Sequence, residues 1–128
     1  MSDGTQPRPR ALIVEDDPAI RRLVEKLLRR QDLDIDVAAD GRTAVEKLRT
    51  ERYSVLVLDL MIPEINGFEV IECIKSEGIK IPVAVVSAVS QQALTQLDLD
   101  IVKVVIGKPF DVDELSRAIV QLCRDVSD

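Results

Sequence analysis

Five short aliphatic runs recur along the chain, and each is followed by a segment whose apolar residues return with a helical period. Ala11 to Val14 is the first run; Ile20, Leu23, Val24, Leu27 and Leu28 then fall at i, i+3, i+4, i+7 and i+8. Asp34 to Ala39 predicts a weaker second strand, and Ala44, Val45 and Leu48 share one face of the helix opened by Asp40-Gly41. Ser54 to Leu58 is the most strand-like stretch, with Phe68, Ile71 and Ile74 inward on the next helix. Val83 to Val86 is the fourth strand, trailed by a poor, short helix candidate from Gln91 to Leu97. Val102 to Ile106 is the fifth, and the last helix, from Asp111, carries Leu115, Ala118, Ile119, Leu122 and Cys123. Asp17 before Pro18 suits an N-cap, and Asp111 with Glu114 has capping-box spacing. Regular alternation of strand and helix demands parallel strands, right-handed crossovers and helices on both faces.

Composition agrees. Without tryptophan, and with Tyr53, Phe68 and Phe110 as the only aromatics, the core is built from Val, Ile, Leu and Ala. Such runs suit strands covered on both faces. The chain of 128 residues fits one domain, read as residues 10–128 behind a flexible leader of residues 1–9. A formal charge of −6 argues against direct nucleic-acid binding, which needs a basic face, and against a membrane-surface role. No apolar run is long enough to span a bilayer, and no signal-peptide core is present. Cys73 and Cys123 lie in predicted helices without metal-type spacing, so they read as reduced packing thiols and the compartment as cytoplasmic.

Polar residues directly follow four of the five strands: Glu15-Asp16, Asp59, Ser87 and Lys108. In a parallel sheet these ends share one edge. A doubly wound, flavodoxin-like (βα)5 fold with strand order 2-1-3-4-5 makes strands one and three neighbours at the switch in strand order. Glu15, Asp16 and Asp59 are then crowded together and need a cation. Hard oxygen donors, with no histidine or paired cysteine competing, suit Mg²⁺. A carboxylate can also act as a nucleophile and form an acyl phosphate, with Lys108 and the Ser87 hydroxyl available to phosphoryl oxygens.

Each element has an ordinary reading too. Asp17 caps a helix, a lone Asp after a strand is more often a turn residue, and a lone Ser or Lys is more often solvated. Their occurrence together, in order and at strand ends, outweighs those readings.

The blocks Val14-Glu15-Asp16-Asp17, Leu58-Asp59-Leu60-Met61-Ile62-Pro63 with Asn66-Gly67, Val86-Ser87-Ala88 and Lys108-Pro109-Phe110 resemble the receiver domain of bacterial two-component response regulators. The resemblance implies that Asp59 accepts a phosphoryl group from a sensor histidine kinase or phosphotransfer protein. It implies Mg²⁺ held by Asp16, Asp59 and the Met61 main-chain carbonyl, with Glu15 helping through water. Ser87 becomes the switch hydroxyl and Lys108 the phosphoryl contact, with Lys108-Pro109 in the cis form. A downstream protein would dock on the face of the fourth helix, fifth strand and fifth helix, with the chain a monomer or weak dimer. No catalysis beyond the domain's own phosphorylation and dephosphorylation is implied.

Three departures stand out. Val105 occupies a position where receivers usually carry Tyr or Phe, so signalling is expected to change the fourth-helix and fifth-strand surface without an aromatic toggle. Leu97, Leu99 and Ile101 alternate with acids where a Gly-Ala turn is usual, so the fourth helix is expected to be short, displaced or mobile. Met61 and Val89 are apolar beside the pocket, and neither orients an attacking water, so slow hydrolysis is expected. The competing readings are a degenerate receiver that binds partners without phosphorylation and, remotely, an Asp-nucleophile phosphatase. The latter lacks its second Asp, since Met61 stands there. The reading suits a single-domain regulator and a receiver from a longer protein equally.

Overall fold

A computed structural model describes residues 8–127. Its elements are β1 (Arg10–Val14), α1 (Pro18–Arg29), β2 (Asp34–Ala38), α2 (Gly41–Thr50), β3 (Val55–Leu58), α3 (Gly67–Ser76), β4 (Val83–Ser87), α4 (Gln91–Leu94), β5 (Val102–Gly107) and α5 (Val112–Ser127). All strand pairs are parallel, in the order β2-β1-β3-β4-β5. Most of the expected leader, residues 1–7, lies outside the described residues. Pro9 already joins the domain, because its carbonyl accepts from the Asp34 N–H at 2.9 Å.

Side chains alternate across a strand, so each strand feeds two cores. Leu12, Val14, Leu56, Leu58, Val83 and Val85 face α2 and α3, meeting Ala44, Val45, Val70, Ile71 and Ile74. Ala11, Ile13, Val55, Val57, Ala84 and Val86 face α1 and α5, meeting Val24, Leu28, Leu115 and Ile119. Two inward assignments shift. Leu23 is 43% exposed at the margin of the α1 stripe, and Val70 rather than Phe68 is the fully buried anchor of α3. Cys123 is buried, which pushes its thiol up to about 11, so it stays protonated at neutral pH.

The caps follow the side chains available. Asp17 accepts from Ala19 and Ile20 N–H, and Asp111 from Glu114 N–H at 2.9 Å. Asn66 and Glu69 form a reciprocal capping box that sequence reading did not single out. α4 is one turn long. Asp98 accepts from Asp100 N–H on its side chain and from Ile101 and Val102 N–H on its carbonyl, folding the segment into turns instead of more helix. Leu97 is buried in that segment while Leu99 is 74% exposed. Val105 pairs in register with the buried Val85, yet remains 38% exposed. From the middle of β2, Asp36 accepts from Tyr53 Oη at 2.7 Å and from Lys47 Nζ at 3.1 Å, tying β2 to α2 and to the segment before β3.

Candidate phosphoacceptor and cation site

The sheet ladder carries backbone pairing one residue beyond the strands and so sets the site. Glu15 N–H donates to the Ala38 carbonyl at 3.1 Å, Asp59 N–H to Val14 at 3.0 Å, and Lys108 N–H to Ser87 at 3.1 Å. Carboxylate oxygens of Glu15, Asp16 and Asp59 converge within 4.8 Å of one another. Glu15, Asp59 and Ser87 are buried and Asp16 is exposed, which leaves one open side.

Asp59 is held at both oxygens. Its Oδ1 accepts from the Met61 N–H and the Ser87 hydroxyl, each at 3.0 Å, and its Oδ2 from Lys108 Nζ at 2.9 Å. Lys108 also donates to Glu15 Oε1 at 2.6 Å, and the Asp17 N–H donates to Glu15 Oε2 at 3.1 Å. Gly67 is required beside this group: a Cβ there would meet the Leu60 Cα at 2.5 Å and the Asp59 carbonyl at 2.8 Å. The Lys108-Pro109 bond is cis. The side chains of Glu15, Asp16, Asp59, Ser87 and Lys108 therefore meet in one place, and the Met61 peptide joins them through its N–H. Sequence reading missed Arg21, whose Nη1 donates to the Glu15 carbonyl at 2.9 Å. Its only signal is a cation in the first turns of α1, off the apolar stripe.

Burial raises the Glu15 carboxyl above its ordinary range, against the pull of its hydrogen bonds from Lys108 and Asp17. Burial alone would lower the Lys108 ammonium, but hydrogen bonds to Glu15 and Asp59 outweigh it and raise it. The directions are compatible, since Lys108 faces two carboxylates while Glu15 faces one ammonium and the Asp59 charge. Three carboxylates against one ammonium leave two negative charges unmatched. A donor set of hard oxygens with that deficit fits a divalent ion such as Mg²⁺.

Removing the ammonium exposes this imbalance. Lys108→Met is expected to lower the unfolding free energy by about 3 kcal/mol in chelator, because two buried carboxylates lose their counter-charge. Glu15 limits that loss by protonating. A carboxyl raised in the fold contributes stability in its neutral form, and that contribution falls as pH rises through the raised value. The wild type loses its Lys108 contribution only at alkaline pH, as the raised ammonium titrates. The variant's deficit should therefore be larger at about pH 8 than at about pH 5. Urea unfolding at both pH values checks this; equal deficits would contradict it.

A family model described as the response regulator receiver domain matches residues 11–120. The chain belongs to this family. The receiver is 34% identical, over 131 residues, to the alkaline phosphatase synthesis transcriptional regulatory protein SphR of Synechococcus elongatus; the match covers 94% of this chain and 49% of that protein. It spans about half the length of the curated relatives it matches. Among solved structures it superposes on the receiver domain of a Francisella response regulator with a TM-score of 0.86 at 27% identity, covering 92% of this chain and 98% of that one. It also superposes on response regulator TrrA of Thermotoga maritima, solved in complex with Mg²⁺-BeF, with a TM-score of 0.80 at 28% identity; 89% of this chain and 98% of that one are covered. The relatives are signalling proteins, the acidic cluster is of the kind that can hold a metal, and among the described residues no helix is long and apolar enough to cross a membrane.

Proposed function

We propose that this receiver accepts a phosphoryl group onto Asp59 from a phosphohistidine of a sensor kinase or phosphotransfer protein. The buried Asp59 carboxylate, held by Lys108 and Ser87 beside Glu15 and Asp16, carries the reading. A carboxylate oxygen attacks phosphorus, the donor's P–N bond breaks, its imidazole nitrogen keeps the electron pair, and an aspartyl phosphate forms. Lys108 exchanges a carboxylate partner for a phosphoryl oxygen, and the Ser87 hydroxyl turns its hydrogen bond from Oδ1 to the new group. Asp16, Asp59 and the Met61 carbonyl are the proposed Mg²⁺ ligands, with Glu15 acting through water; the Mg²⁺-BeF complex of the Thermotoga relative supports reading the pocket as a Mg²⁺ site. When bound, the ion supplies positive charge to the phosphoryl oxygens.

Phosphorylation then alters the surface of α4, β5 and α5, where a partner protein docks; Val105 makes this a change without an aromatic toggle. Residues 10–128 act as the receiver unit in the cytoplasm, as a monomer or weak dimer without nucleic-acid contacts of its own. Incubation with acetyl phosphate tests the reading. One phosphoryl adduct by intact mass, present with Mg²⁺ and absent with chelator, is the expected result. No adduct in Mg²⁺ would instead favour a receiver that binds partners unphosphorylated.

Met61 is 66% exposed, and its N–H meets Asp59 Oδ1 at 3.0 Å. An apolar side chain there holds no water against phosphorus, so Met61→Asn should shorten the adduct's lifetime severalfold. Unchanged decay, followed by mass over time, would remove Met61 as a cause of slow hydrolysis.

A further inference from the structure

The three converging carboxylates are not equally held. Glu15 is fixed through Lys108 and the Asp17 N–H, and Asp59 through Met61, Ser87 and Lys108. The Asp16 side chain has no hydrogen-bond or ion-pair partner among the described residues. Its direction depends on the backbone that carries it. That backbone is gripped by Arg21, whose Nη1 donates to the Glu15 carbonyl at 2.9 Å and lies 3.5 Å from the Asp16 carbonyl. Arg21 is itself anchored in the first turn of α1, its N–H donating to Asp17 at 2.9 Å. The guanidinium thus holds successive carbonyls of the acidic loop on the α1 side, while the carboxylates of the same residues turn toward Asp59.

We propose that Arg21 is a positioning residue for the cation pocket, orienting Asp16 by clamping the main chain of Glu15 and Asp16. The proposal rests on the reading of Glu15, Asp16 and Asp59 as a Mg²⁺ site. It makes a prediction opposite in sign to simple electrostatics. Arg21 adds positive charge beside a cation site, so by charge alone its removal should tighten Mg²⁺ binding. By positioning, removal should loosen it. Outer groups that orient metal ligands are worth roughly 10–100-fold in affinity, and the clamp acts on one of three carboxylates, so the expected loss is about tenfold.

Calorimetric titration of Mg²⁺ into the wild type, Arg21→Met and Arg21→Lys provides the test, with thermal melting in chelator to compare folding. Arg21→Met is expected to bind about tenfold more weakly. Arg21→Lys keeps the charge and one donor but loses the planar fork, so its affinity should fall between the two. If Arg21→Met does not fold, Arg21→Gln takes its place in the comparison. Binding by the Met or Gln variant that equals or exceeds wild type overturns the proposal while leaving the Mg²⁺ site standing. An Arg21→Lys affinity equal to wild type, with the neutral variant weakened, overturns the two-carbonyl clamp, because a single donor without the planar fork would then suffice. A wild type that takes up no Mg²⁺ overturns the cation site itself, and this proposal with it.

Discussion

Asp59→Asn is expected to abolish phosphoryl uptake from acetyl phosphate while the domain stays folded. The amide has nearly the shape of the carboxylate, and its oxygen can still accept from the Met61 N–H and the Ser87 hydroxyl at Oδ1. At Oδ2, however, an NH₂ group would oppose the Lys108 ammonium, donor against donor, so Lys108 is left to Glu15. The lost charged hydrogen bond is worth roughly 1.5–3 kcal/mol, but a negative charge also leaves a crowded cluster, so the net stability change should be about 1 kcal/mol or less. Chemistry has no such compensation, because the amide nitrogen is not nucleophilic and the anion is gone. Intact mass should show no adduct and urea unfolding a near wild-type midpoint. An undiminished adduct would place the phosphoryl group elsewhere, and Asp59 would lose its role.

Gly41→Ala should be the most costly glycine-to-alanine change among the described glycines, since its Cβ position meets main-chain atoms more closely than that of any other. A Cβ at Gly41 would stand 1.6 Å from the Ile65 carbonyl oxygen and 2.6 Å from its carbon, both main-chain atoms. Gly41 N–H also donates to the Pro63 carbonyl at 3.1 Å, so the start of α2 and the loop between β3 and α3 form one contact without slack. Ala forces that loop away. Overpacking costs roughly 1–3 kcal/mol and at times more, so a loss of about 3 kcal/mol is expected. Gly107 is the control: nothing lies within 4 Å of its Cβ position, and Gly107→Ala should change stability by about 0.5 kcal/mol or less. Equal midpoints for the two variants in urea would refute the close approach. Because the displaced loop carries Met61, phosphoryl uptake by Gly41→Ala should slow as well.

Much of this molecule is legible in its sequence because local rules govern it. Alternating apolar runs separate the two cores, and Asp17 and Asp111 cap helices through side chains two or three residues away. What escaped reading is less local. Whether Leu23 faces in or out depends on where the rim of the α1 interface falls, and the box in which Asn66 and Glu69 answer each other was not singled out. The shortness of α4 was foreseen, but the cause, Asp98 taking three N–H groups into turns, was not.

The site divides along the same line. Sequence alone determined which residue types stand at the strand ends, because each run of apolar residues stops at a polar one. Only the tertiary structure decided what they do to one another. Lys108 lies 93 positions from Glu15 and 49 from Asp59, yet bonds to both. Parallel register and the order β2-β1-β3-β4-β5 bring those ends to one edge, and no local propensity encodes that distance. Arg21 shows the same limit at short range. Its sequence marks a cation on a helix, and only the path of the acidic loop turns two carbonyls toward it.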